Sequence, residues 1–217
     1  LPASRGNWLY VGGNGPGNYT RIQDALDNAS DGDTVFVYHN NLPYYGNVSI
    51  NHSIHLLGEN RNSTIIIGRI VQINANNVTM SNFTVQNSGS YPDYAGIVVE
   101  GNYAVIVHNN ILNNNDGIDV NSDIGHDIIS YNNISNNRGM GIYIVGDLWD
   151  NLTTSENVIQ GNIISHNGAD AIGSGTYKTK ILNNKIFNNG GGIVCDSSYD
   201  EICYNEIYSN NYGGVKC

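Results

Sequence analysis

The chain has 217 residues, with 19 acidic and 9 basic side chains and a formal net charge of −10. That length suits one elongated domain or two small compact ones. The acidic balance excludes nucleic acid and anionic lipid surfaces, whose binding needs clustered Lys and Arg, and it is compatible with calcium or neutral glycans.

From the N-terminus, LPASRGNWLY lacks the basic-then-apolar organisation of a leader. No apolar run approaches the roughly 18 residues of a membrane span. In TRIQDALDNASDGD, the residues Ile22, Ala25, Leu26 and Ala29 follow helical spacing. Thr20 and Gln23 suit a capping box and Gly32 suits the stop, which predicts a short helix near residues 20–30 inside an N-terminal cap over 1–33. The runs VSI, SIHLL, TIII, IVQI, VTM and FTV then read as short strands, so coils begin near residue 34 and the first set extends to 95.

From residue 96 a repeat takes over. A Gly/Ala-Ile/Val landmark falls at Ile97, Ile118, Ile142, Ile172, Ile193 and Val215, at intervals of 21, 24, 30, 21 and 22 residues. A second landmark, Asn two residues before Ile, gives Asn109, Asn132, Asn184 and Asn205, with Gly161 substituting once. A third gives Asn114, Asn137, His166, Asn189 and Asn210. Within each unit the apolar residues alternate over runs too short for helices. A helix-free repeat of this length matches one coil of a parallel β-helix, whose strands stack about 4.8 Å apart. Leucine-rich repeats are disfavoured because their Leu-x-x-Leu-x-Leu spacing is absent. An inward Asn at a bend can bond its counterparts in the coils on either side, and Asn and Gly tolerate left-handed backbone. The expected fold is all-β: a single parallel β-helix over 1–217 with a short N-terminal capping helix. The last coil, NYGGVKC, has no cap, which predicts self-association or further polypeptide at that end.

Nine Asn-x-Ser/Thr sequons, at Asn18, Asn28, Asn47, Asn51, Asn62, Asn77, Asn82, Asn133 and Asn151, compare with about four expected by chance. They point to a glycosylated, secreted or cell-surface protein. Cys195 and Cys217 lie one coil apart at the same inward position, close enough for a disulfide, with a pair of free apolar thiols as the alternative. Cys203 lies on another wall.

GNGPGNYTRIQDALDNASDGDTVFVY, then YYGNVSINHSIHLLGENRNSTIIIG, resembles the cap and first coils of the NosD-type, pectin-lyase-like proteins, and the later Asn-Asn-x-Ile units resemble the same superfamily. The resemblance implies a right-handed β-helix, and the Asp-Gly-Asp turn with many sequons resembles archaeal cell-surface members. NNDGIDV, residues 114–120, resembles the Asn-x-Asp-Gly element of polygalacturonases. In an enzyme of that kind Asp116 and Asp119 would supply the carboxylates, with His126, Lys178 and Lys180 as the remaining parts. The second acidic pair is missing, and the Gly-His-Gly and Arg-x-Lys motifs are broken.

The column before the ladder Asn, read as His108, Tyr131, Gln160, Asn183 and Tyr204, offers aromatic and amide groups for sugar stacking. Tyr143 points outward beside it, and Trp149, in the longest insertion, marks a lip together with Tyr91 and Tyr94. The leading expectation is a non-catalytic glycan-binding or structural scaffold for a polysaccharide or cell-surface glycan, with no cofactor. The alternative is a polysaccharide lyase, hydrolase or epimerase.

Overall fold

The computed structural model describes residues 6–89, 95–121, 125–145, 155–196 and 199–217. They wind into a three-walled parallel solenoid of about eight turns. Wall A has nine strands, among them Trp8–Val11, Thr34–Val37, His55–Gly58, Thr79–Ser81, Val105–Val107, Ile128–Ser130, Val158–Gln160, Lys180–Leu182 and Glu201–Cys203. Wall B has eight, from Tyr44–Tyr45 to Glu206–Tyr208. Wall C also has eight, including Ala95–Val99, Asp116–Val120, Ile142–Ile144, Asp170–Ser174 and Gly191–Cys195. Every pairing between them is parallel and joins equivalent positions of successive coils, as in Ile97↔Ile118, Ile118↔Ile142, Ile142↔Ile172 and Ile172↔Ile193.

Most strands on walls A and B are three residues long, so only the middle side chain faces inward. Ile106, Ile129, Ile159 and Ile181 form one inward stack, and Ile111, Ile134, Ile164 and Ile186 another, all buried. Each buried isoleucine contributes about 1.5–3 kcal/mol. The β-branched side chain suits both the strand and the repeat, because identical residues nest at the rung spacing.

Two residues with separate duties make each corner. The first is left-handed, with φ between 54 and 60° at His108, Asn113, Tyr131, Asn136, His166, Asn183, Asn188 and Tyr204. The second points inward as the ladder amide. Asn132 is 2% exposed; its backbone N–H and Nδ2 donate to Asn162 Oδ1 at 2.9 and 3.1 Å, and Nδ2 also donates to Ile106 O at 2.9 Å. Asn162 repeats the pattern toward Asn184, and Asn137, Asn167 and Asn189 form a parallel ladder.

This division corrects one coil of the sequence reading. The ladder residues there are Asn162 and Asn167; Gly161, φ 66°, and His166, φ 58°, are the left-handed residues before them. The doublet Ile163-Ile164 permits either alignment, and burial decides it: Ile164 is fully buried, whereas Ile163 is 46% exposed.

At the N-terminal end, helix Ile22–Asp27 buries Ile22, Ala25 and Leu26 over the first coil. The expected capping box does not form, because the N-cap is Arg21 without a side-chain bond. Gln23 instead clamps Ser49, accepting from its N–H at 2.8 Å and donating to its carbonyl at 3.1 Å. Coiling also starts earlier than residue 34, since Trp8–Val11 pairs with Thr34–Val37 as an additional rung of wall A. Leu9 and Val11 of that strand face inward and Trp8 and Tyr10 outward, but all four are apolar, so the sequence shows no inward pattern there.

Cys195 and Cys217 occupy adjacent rungs, following Val194↔Lys216, and stand as free thiols, the first buried and the second exposed where an inward pair was expected. Burial first, then a hydrogen bond with Cys217, pushes the Cys195 thiol upward, away from the thiolate that disulfide chemistry requires.

Candidate functional site

Two outward surfaces carry chemistry. On wall C, Asp119 stands in register with Val98 on one side and Tyr143 on the other. Asp116 lies on the same strand, and its Oδ1 accepts from the Met140 backbone N–H at 2.5 Å. Gly173, in the coil beyond, leaves room for its neighbours: a Cβ there would lie 3.1 Å from Met140 Sδ and 3.2 Å from the Tyr143 ring. Burial, then the charge of Asp116, pushes the Asp119 carboxyl up to about 7. Asp119 Oδ1 is buried without a hydrogen-bond partner. Asp116 is raised by its own burial, against the lowering pull of the Met140 N–H. The wall therefore presents a carboxyl that titrates near neutral pH beside an exposed phenol.

The second surface flanks wall A at its two corners. Tyr103 and His126 stack at 5.1 Å with planes 3° apart on the leading corner, and His108 and Tyr131 at 5.4 Å and 20° on the trailing corner. Between them run the outward residues of Val105–Val107 and Ile128–Ser130, with Ile128 40% exposed. The Tyr131 ring reaches over Gly161, where a Cβ would lie 2.7 Å from Cε1. Left-handed backbone disfavours a bulky side chain by roughly 1–2 kcal/mol. A stacked aromatic pair returns about 0.5–1.5 kcal/mol. The rings therefore add little to stability over the Asn found at the same corners of other coils. Tyr199 and Tyr204 continue the two columns at 83% and 87% exposure.

The other sequence-predicted residues separate from these groups. His126 belongs to the aromatic corner and not to the acid pair. Lys178 occupies a left-handed corner and pairs with Glu156 at 3.8 Å, while Lys180 sits on wall A opposite Val158 and Glu201. The hydrolase-like cluster of Asp116, Asp119, His126, Lys178 and Lys180 is thus divided between walls. Gln160 leaves the stacking column, because its partners are Ser130 and Leu182; Gly161 holds that place. Trp149, Tyr91, Tyr94 and Asn151 lie outside the described residues. Of the other sequons, Asn28, Asn47, Asn51, Asn62 and Asn77 are exposed, and Asn18, Asn82 and Asn133 are half-buried. Among the described residues no group of three or more His, Cys, Asp and Glu is placed to hold a metal ion.

Tyr103 was not singled out by the sequence. Its signal is the corner rule itself, since the residue before each inward corner position is the one that projects.

Residues 95–217 match the family model described as a right handed beta helix region. The chain belongs to this right-handed β-helix family. Its coils resemble those of the A-module of mannuronan C-5 epimerase AlgE6 from Azotobacter vinelandii, with a TM-score of 0.64 and 16% identity over 89% of this chain and 67% of that one. A pectin methylesterase solved with a hexasaccharide aligns at TM-score 0.46 and 14% identity, over 88% of this chain and 67% of that one. Pectin methylesterase PemA from Erwinia chrysanthemi aligns at 0.41 and 14%, with the same coverages. No curated protein matches the β-helix in sequence.

Proposed function

We propose that this β-helix is a non-catalytic, secreted or cell-surface scaffold that binds a polysaccharide or cell-surface glycan along wall A. The observation that carries the reading is the pair of aromatic stacks, Tyr103 with His126 and His108 with Tyr131, flanking an apolar strip. Flat rings on both sides of a shallow floor suit the C–H faces of pyranoses, and their recurrence on two successive coils, with Tyr199 and Tyr204 again two coils beyond Glu156 and Gly161, suits an extended chain. The protein's negative charge favours a neutral chain over a polyanionic one. A polysaccharide ligand accords with the mannuronan C-5 epimerase whose coils these resemble, and the exposed sequons accord with an extracellular setting. The test is retention on a glycan array, expected for the wild type and lost in Tyr131→Ala. Equal retention by both would reject the wall A site.

One observation favours a second reading, polysaccharide-active chemistry on wall C. Asp119, raised to about 7 by burial and by the Asp116 charge and standing beside Tyr143, has the character of a general acid. That reading predicts new reducing ends or unsaturated products from a polysaccharide panel, abolished by Asp119→Ala. The scaffold reading predicts none.

A further inference from the structure

The first two rungs of wall A carry aromatic rings that contribute little to the interior. Trp8 and Tyr10 are 54% and 38% exposed and point away from the core. Tyr10 lies between Trp8 at 6.2 Å and Tyr38 at 6.1 Å, and Phe36 packs edge-on against Tyr38 at 5.0 Å. This apron leads into a cleft of about 510 Å³ whose lining includes Gly12, Gly13, Asn14, Tyr38, His39 and Glu59.

The cleft is polar and kept open by its backbone. Gly13, φ 66°, has the Tyr38 ring 2.8 Å from where a Cβ would stand, and Gly12, φ 73°, is crowded by the Tyr44 hydroxyl. Side chains at these two positions would displace the rings or fill the mouth. The His39 backbone N–H and Nδ1 lie 2.8 and 2.6 Å from Glu59 Oε2. These contacts hold the carboxyl below its ordinary range and leave Oε1 for a ligand hydroxyl. Asn40 and Asn41 add amides to the rim.

Ring faces leading to a fixed carboxylate among amides match a sugar with an apolar C–H face and hydroxyls at its edge. An acidic sugar would meet the Glu59 charge and the protein's −10. We propose that this cleft binds the terminal residue of a neutral oligosaccharide, with hydroxyls on Glu59 and the following units on Tyr38, Tyr10 and Trp8. The site shares its ligand class with the wall A corners, but those begin two rungs beyond Glu59, roughly 10 Å away at the rung spacing. The two sites can therefore fail independently.

The chain contains two tryptophans. In a Trp149→Phe background only Trp8 reports, and its emission is titrated with neutral hexaoses of glucose, mannose and galactose, and with hexagalacturonate. The expected result is a saturable blue shift with at least one neutral hexaose and none with hexagalacturonate. Glu59→Gln, close to isosteric at an exposed position, should weaken that binding about tenfold or more while circular dichroism stays unchanged. Tyr131→Ala should leave it intact. Silence with all three neutral hexaoses, a response confined to hexagalacturonate, or full affinity in Glu59→Gln would overturn the proposal. Any of these would leave array retention through Tyr131 to be judged separately.

Discussion

Replacing Asn162 by alanine tests the amide ladder at one rung. Asn162 is fully buried, its Nδ2 donates to Ile129 O at 2.8 Å and to Asn184 Oδ1 at 3.0 Å, and its Oδ1 accepts from the Asn132 N–H and Nδ2. Truncation leaves the Asn132 backbone N–H without its acceptor; Asn132 Nδ2 keeps Ile106 O, and Asn184 Oδ1 keeps the Asn162 N–H. One orphaned buried donor, with an impaired carbonyl and a small cavity, should cost about 3–5 kcal/mol. In a domain of this size that corresponds to a fall in melting temperature on the order of 10 °C. Asn183→Ala, at the exposed left-handed position of the next coil, removes no ladder amide and should cost only about 1 kcal/mol. Urea unfolding followed by circular dichroism measures both. A loss below about 1 kcal/mol for Asn162→Ala, or equal losses for the two variants, would refute the ladder as a source of stability.

Three further outcomes follow. Asp119 holds a proton up to about 7 in the fold but releases it near 3.8 when unfolded, so folding should lose stability as pH rises through that window. Asp119→Asn should lack this slope and gain about 2–3 kcal/mol over wild type at pH 8 but little at pH 4, by urea unfolding at each pH. Gly161→Ala should destabilise by about 1–2 kcal/mol and displace the Tyr131 ring, visible as a changed Tyr131 environment by NMR and weaker array retention. A chromogenic disulfide reagent should label exposed Cys217 first and buried Cys195 at least about tenfold more slowly, until denaturant is added.

The spacing of Ile97, Ile118, Ile142, Ile172, Ile193 and Val215 carried the register of wall C without error, because those inward positions cannot slip without exposing isoleucine. The coil at 160–167 was misread where Ile163-Ile164 offered two alignments, a choice only burial makes. Asp119 was visible as a candidate carboxylate of NNDGIDV, but its raised pKa comes from burial and from Asp116, which the linear pattern does not report. The N-terminal cleft was illegible for a related reason: Gly12, Tyr38 and Glu59 are distant along the chain and meet only when the first rungs coil. His126, Lys178 and Lys180 were grouped by analogy with a motif, and the intervening corners place them away from the acids.

Calorimetric titration of a polysaccharide fragment selected on the array, against wild type and the Tyr103→Ala/Tyr131→Ala double variant, tests the central claim most directly. The account predicts about tenfold or more weaker binding in the variant, an unchanged melting temperature, and the fragment recovered intact from both mixtures. Undiminished affinity in the double variant, or a shortened or unsaturated fragment after incubation with wild type, would contradict it.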